Sequence, residues 1–318
     1  MADTDAGRVD SSIDELLATH PPADTEPKEL WGAQYDLGLA WVWHPEGYGG
    51  LGLARKHQSH INRRLEEAGA STENRLANII GIGMGAGVLV SHGTESQKQR
   101  WLRPMFTTEE IWCQLFSEPD AGSDLAGLAT RAVRDGEEWV VNGQKVWTSL
   151  AHVAKWGLLV ARTDPEAVKH QGLTYFVVDM QGPGVEVRPI YQITGEAEFN
   201  EVFFDDARIP DEHRIDQVGA GWRVSMTTLM NERVAIGGTT TPRGSGLIAE
   251  AVQAWEESGS DDPVLRDELV RLWAEADTQE KLMEKVSVHL MEHHDLDHRQ
   301  DRIAKALKDT GIYYIRQA

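Results

Sequence analysis

The sequence predicts an α+β protein: an N-terminal all-α domain, a middle antiparallel β-barrel-like domain and a C-terminal helical bundle. Three observations predict it. Helical spacing dominates from residue 51 to about 112. Short β-rich runs punctuated by glycine follow Cys113. Helical spacing returns after Pro210. Boundaries near 113 and 216 then divide the chain into an acidic, frayed tail (1–28), a helical domain (29–113), a β domain (114–216) and a second helical domain (217–318).

Residues 1–28 are acidic and proline-bearing, with one short amphipathic piece, IDELLATH. In LARKHQSHINRRLEEAG, Leu53, His57, Ile61 and Leu65 share a side, as helical spacing requires. TESQKQRWLRPMF opens on Thr94 with Gln97 three residues on, the pattern of a capping box. ATRAVRDGEEWVVNGQKVW carries two hairpin signals, Asp135-Gly136 and Asn142-Gly143. The runs KWGLLVAR, LTYFVVDM, VEVRPIY and FNEVFFDDARIP extend this to an antiparallel meander of roughly six or seven strands. GWRVSMTTLMNERVAIGG reads as one helix. DDPVLRDELVRLWAEA reads as another, with Asp262 at its cap and Pro263 at its first position.

A chain of 318 residues with 41% hydrophobic and 26% charged residues is long enough for two or three packed units. Its net charge of −20 and the lack of a basic stripe exclude a nucleic-acid binder. The single cysteine, Cys113, excludes an internal disulfide and fits a reducing, cytoplasmic location. No signal-peptide pattern opens the chain, and no apolar run reaches the roughly 18 residues of a membrane span.

Several constellations bear on chemistry. GIGMGAG (81–87) can be forced into a dinucleotide fingerprint through Gly81, Gly83 and Ala86. That fingerprint needs a preceding strand, whereas ENRLANII is helical in pattern, so close helix packing explains these glycines better. HLMEH (289–293) places His289 and His293 one helical turn apart with Glu292 beside them, the arrangement of a zinc hydrolase. No third ligand follows well downstream, and neighbouring His294 and His298 suit a solvated helix end.

SEPDAGSDLAG (117–127) stands at the junction of the helical and β regions, where clefts form. Its small residues let backbone N–H groups approach an anion closely. VWTS (146–149) puts a tryptophan and two hydroxyls at a strand end, suited to a flat heterocycle or to the core. In the helix 221–237, Trp222, Met226, Leu229 and Ile236 form an apolar stripe with Arg233 in its middle and Glu232 at its edge. Such an arginine needs an anionic partner. Both ions on a solvated helix surface are the other reading.

Taken in order, WHPEGYGGLGL (43–53), LFSEPDAGSDLAG, EEWVVNGQKVWTS, FNEVFFDDARIP and TLMNERVAIGG resemble the acyl-CoA dehydrogenase family over roughly residues 30–240. The β region is most similar to actinobacterial members acting on bulky acyl-CoA esters, sterol side chains included. The resemblance implies an FAD-dependent flavoprotein of fatty acid or sterol side-chain catabolism, forming a trans-2-enoyl-CoA. It implies cofactor contacts from Gln114, Leu115, Phe116, Ser117, Gly122 and Ser123 on one side of the flavin and from Trp147, Thr148 and Ser149 on the other. Glu232, directly before Arg233, matches one of the two places the family uses for its α-proton base. Ser123, Asn231 and Arg233 match positions that contact substrate, and no metal is implied.

An electron-transfer flavoprotein is the acceptor that the family implies, and a homo-oligomer or a heteromer with a related subunit the assembly. Downstream of about 240 the resemblance fades, and Asp120 stands where glycine is commoner. The C-terminal bundle is therefore expected to be shorter than the family's. Two rivals follow: a non-catalytic or half-site subunit of a heteromeric acyl-CoA dehydrogenase, and the zinc hydrolase of His289 and His293.

Overall fold

Val9, Ile13 and Leu16 recur at the spacing of one helical face, and all three are fully buried. They belong to α1 (Ala2–Thr19), so the expected frayed tail is a packed helix instead. The structure, a computed structural model, describes residues 2–237 and 247–275. It divides into two compact units, Met1–Ala235 and Ile236–Ala318.

In the first unit α1 shares a core with α2 (Pro27–Asp36) and α3 (His57–Glu67). Leu30, Ile61 and Leu65 complete that core, and Arg64 reaches Asp10 and Asp14 across it. At about 1.5–3 kcal/mol for each buried aliphatic chain, the α1 face holds firmly, which is why the tail does not fray.

Next come α4 (Glu73–Ala77), a π-helical turn (Gly81–Gly85), α5 (Ala86–His92) and α6 (Glu95–Phe106). Thr94 caps α6 in the reciprocal box with Gln97 that the spacing predicts: Gln97 N donates to Thr94 Oγ1, and Thr94 N to Gln97 Oε1. The glycines of 81–87 serve packing. A Cβ on Gly81 would lie 2.7 Å from Asn78 Oδ1 and 2.8 Å from Met105 Cγ.

The sheet has eight strands: β1 (Trp112–Leu115), β2 (Arg131–Asp135), β3 (Glu138–Ser149), β4 (Trp156–Arg162), β5 (Leu173–Asp179), β6 (Val185–Ile190), β7 (Phe199–Pro210) and β8 (Arg214–Ile215). Their order is β6-β7-β3-β2-β4-β5-β8, with β1 paired to β4. Most pairs are antiparallel, but β1 runs parallel to β4, and β2 touches β4 in parallel at Arg131 and Arg162. Among the described residues no ladder joins β6 to β8.

Asp135-Gly136 makes the expected turn between β2 and β3. Asn142-Gly143 does not turn the chain. It lies inside β3, where the register against β7 slips between Val141 and Gly143. A bulge and a tight turn share the same local signature, and here the long ladder to β7 decides for the bulge. A Cβ on Gly143 would lie 2.5–2.8 Å from Thr130, backbone included.

β4 and β5 are buried along nearly their whole length. One face (Trp156, Leu158, Val160, Tyr175, Val177) packs with Met84, Val88, Trp101 and Phe106 of the helical layer. The other (Leu159, Ala161, Phe176, Val178) packs with Leu115, Trp139 and Phe204. Coverage on both faces removes the polar–apolar alternation expected of an open sheet.

α7 (Gly221–Gly237) follows the sheet. In the second unit α8 covers Leu247–Ser258, and residues 263–275 are helical. Asp262 Oδ1 accepts from Val264 N at 2.8 Å, the predicted cap ahead of Pro263.

Candidate functional site

α7 fully buries Val224, Ser225 and Thr228, while Trp222 and Leu229 of the expected apolar stripe are partly buried against the same core. Hydroxyls can occupy this face because the helix satisfies them. Ser225 Oγ donates to Gly221 O at 2.7 Å, and Thr228 Oγ1 lies 2.9 Å from Tyr175 Oη. At about 100° per residue, Glu232 falls between Ser225 and Thr228, and Arg233 falls roughly 80° round from Ser225 and roughly 140° from Thr228. Arg233 is accordingly exposed, and the expectation of a buried guanidinium is corrected.

The half-buried Glu232 faces β1: Gln114 Nε2 donates to its Oε2 at 3.4 Å, a long bond across 118 residues of sequence. Its neighbour Asn231 packs on the glycine-rich turn, where Nδ2 lies 3.5 Å from Met84 O. Gly87 makes that approach possible, since a Cβ there would sit 2.3 Å from Asn231 Nδ2. Gly87 thus lets α7 approach the turn at Asn231, one residue before Glu232 meets Gln114 of β1.

Strand alternation sends Gln114 and Phe116 to one face and Leu115 to the other. Leu115 is fully buried in the core beside Trp139 and Phe204, so its side chain is not available to a ligand and only its backbone is. The Phe116 ring stands edge-on to Tyr175 at 6.0 Å. Ser117 O accepts from Val146 N at 2.9 Å, which ties the end of β1 to the end of β3. There Trp147 has φ +60° and is 60% exposed, a left-handed turn that swings a large indole out of the sheet toward Phe199.

Thr148 is buried, and its Oγ1 has no hydrogen-bond partner. Its carbonyl accepts from Asn200 Nδ2 at 3.0 Å. Ser149 is half-buried at the strand end, while Gly122 and Ser123 are exposed at the loop tip. The structure therefore joins Gln114 to Glu232, and the end of β1 at Ser117 to β3 one residue before Trp147. It gives no contact joining Gly122, Ser123 or Arg233 to them.

Spacing in sequence did not reveal Glu118 and Lys145, which form a buried ion pair at 2.8 Å. Burial pulls the Lys145 ammonium down to about 8, against the opposing pull of Glu118. Burial would raise the Glu118 carboxyl. The Lys145 charge, with hydrogen bonds from Lys145, Thr130 and Ala129, instead holds it below the usual range. Asn200 was missed too, because its role depends on the register of β3 against β7.

His289, Glu292 and His293 lie outside the described residues, as do His294 and His298. Among the described residues no group of three metal-ligating side chains occurs. Likewise no described helix is long and apolar enough to cross a membrane.

Residues 8–109 match the family described as "Acyl-CoA dehydrogenase, N-terminal domain", and residues 113–207 match "Acyl-CoA dehydrogenase, middle domain". Acyl-CoA dehydrogenase IpdE1 of Mycobacterium tuberculosis is 42% identical over 250 residues, which are 78% of this chain and 64% of that protein. Acyl-CoA dehydrogenase FadE34 of the same organism is 49% identical over 201 residues, 63% of this chain and 28% of that protein. The chain thus spans under two thirds of the length of either curated relative. A solved structure described as "Tcur3481-Tcur3483 steroid ACAD" aligns with a TM-score of 0.67 at 26% identity, covering 92% of this chain and 76% of the other.

Proposed function

Because the chain belongs to the acyl-CoA dehydrogenase family, we propose that it carries out FAD-dependent α,β-dehydrogenation of an acyl-CoA thioester with Glu232 as the α-proton base. The observation that carries this reading is the meeting of Glu232 with Gln114 on β1, the strand whose end is tied through Ser117 to Val146, next to Trp147 and Thr148. A half-buried carboxylate beside Ser225 and Thr228 on that helix remains open to receive a proton.

The residues present fit a flavin. Trp147 offers an exposed indole face, Thr148 a buried hydroxyl that lacks a partner in the chain, and Gln114–Ser117 an extended backbone. When bound, FAD supplies the acceptor for the β-hydrogen and its electron pair. Glu232 takes the α-proton onto a carboxylate oxygen. The Gln114 amide, donating to Oε2, orients that carboxylate. Asn231, seated against the 81–87 turn, fixes the helix that carries Glu232.

The likeness to a structure described as a steroid ACAD supports a bulky acyl group, such as a sterol side chain, over a short straight one. The experiment is an absorbance spectrum of the purified chain with FAD, followed by anaerobic addition of a straight-chain acyl-CoA and of a sterol side-chain CoA thioester. Flavin bands that bleach with the second thioester support the reading, and bands that neither substrate bleaches refute it.

A second reading, a half-site subunit of a heteromer, draws on a structure described as "the ChsE4-ChsE5 complex from Mycobacterium tuberculosis", aligned with a TM-score of 0.62 at 26% identity. It predicts flavin bands only after a related subunit is added, and turnover unaffected by Glu232→Gln. In either reading the electrons pass on to an electron-transfer flavoprotein.

A further inference from the structure

Lys145 is completely buried in the middle of β3, and proton abstraction makes no use of it. Its Nζ donates to Glu118 Oε1 at 2.8 Å and to Phe116 O at 3.0 Å. The Glu118 carboxylate also accepts from Ala129 N at 2.6 Å and from Thr130 N at 3.0 Å. One ion pair therefore touches the end of β1, both feet of the 118–129 loop, and the strand that turns out Trp147 two residues later. Between the feet, Gly122, Ser123 and Asp124 are exposed.

Stability does not account for this arrangement. Replacing a buried ion pair by well-packed apolar residues is often neutral or stabilising, so such a pair is weak evidence of a stability role. The pair does fix geometry. It spaces the feet through two N–H bonds to a single carboxylate and anchors the Phe116 carbonyl to β3. The neighbouring bond from Val146 N to Ser117 O then sets where Trp147 leaves the strand.

We propose that Lys145 and Glu118 are positioning residues, whose ion pair sets the mouth of the 118–129 loop and the Trp147 corner so that both grip the same flavin. The proposal rests on the FAD reading above. The test uses the full chain and the variants Lys145→Met, Glu118→Gln and the double variant. Readouts are the melting temperature without FAD, the FAD dissociation constant from flavin fluorescence, and the visible circular dichroism of bound FAD.

Each single variant is expected to melt earlier and to bind FAD about tenfold or more weakly, the worth of one hydrogen bond to a charged group. The double variant is expected to regain the melting temperature, because no lone charge remains buried. It should keep the weakened affinity and the altered dichroism. A double variant with the parent's affinity and dichroism overturns the proposal.

Hydrogen exchange on the unmodified chain decides the matter if the variants do not fold. The Ala129 and Thr130 amides should already exchange slowly without FAD, and residues 119–127 should slow only when FAD is added. Fast exchange at Ala129 and Thr130 in the FAD-free chain also overturns the proposal. If the unmodified chain binds no FAD, the functional reading falls, and exchange at those two amides alone decides whether the clamp stands.

Discussion

Mild acid should weaken this fold through one imidazole. His44 is 2% exposed, stacked on Trp41 at 4.8 Å and edge-on to Trp43 at 5.5 Å. Its Nδ1 has no hydrogen-bond partner. Burial pulls its pKa from 6.5 to about 3; a backbone hydrogen bond at Tyr48 opposes the shift and the Arg55 charge adds to it. The folded chain therefore keeps this ring neutral at pH values where the unfolded chain protonates it. Since the folded pKa is the lower one, the contribution is intact above pH 6.5 and is lost as the pH falls toward 3.

At about 1.36 kcal/mol per pH unit, that window amounts to roughly 5 kcal/mol, of which about 2 kcal/mol falls between pH 7 and pH 5. The assay is urea unfolding followed by tryptophan fluorescence, on the parent and on His44→Phe, at both pH values. The parent's advantage over the variant should shrink by about 2 kcal/mol on going from pH 7 to pH 5. An advantage that is equal at the two pH values would refute the burial argument, and one that grows would reverse its sign.

Three further outcomes follow from single contacts. Glu232→Gln should leave FAD affinity and melting temperature unchanged while cutting flavin reduction by acyl-CoA about 10²–10⁴-fold in stopped flow, the usual worth of a general base. Gly143→Ala should cost roughly 2–3 kcal/mol in urea unfolding, because its Cβ would press on the Thr130 backbone at 2.7 Å from a residue with φ +153°. The Asp211 carboxyl is pushed down from 3.8 to about 2, first by its bonds to Arg214 and then by that from Trp139 Nε1. Its contribution is present above pH 3.8 and fades as the pH falls through 2, so Asp211→Asn should cost about 1–2 kcal/mol at pH 6 and far less at pH 2 in thermal melts.

Local chemistry made much of the fold legible. The Thr94–Gln97 box, the Asp135-Gly136 turn and the Asp262 cap each act within four residues, and each stands where the spacing predicts. The errors lie where a distant partner decides. Asn142-Gly143 has every local mark of a turn, yet the β7 ladder, some sixty residues on, makes it a bulge. Residues 1–28 looked solvated because their acids dominate the composition, while α3 supplies a core for Val9, Ile13 and Leu16 from more than forty residues away.

The candidate site divides along the same line. Motif order marked the segments 114–123, 147–149 and 231–233, but not which side chains point inward. On α7 the buried face is wider than the apolar residues implied: Trp222 and Leu229 pack on the core, and Ser225 and Thr228 join them because they satisfy their hydroxyls locally and so pack like small apolar groups. Glu232 meets Gln114 and Arg233 faces solvent, so the glutamate stays a candidate base while the arginine is not the buried charge the stripe implied. Lys145 and Glu118, two charges 27 residues apart, carried no signal of pairing at all. Their pairing follows from β3 passing beneath the loop, a relation set by strand order. Here motifs name the residues proposed to touch a ligand, whereas a pair such as Lys145 and Glu118 becomes visible only once the sheet is assembled.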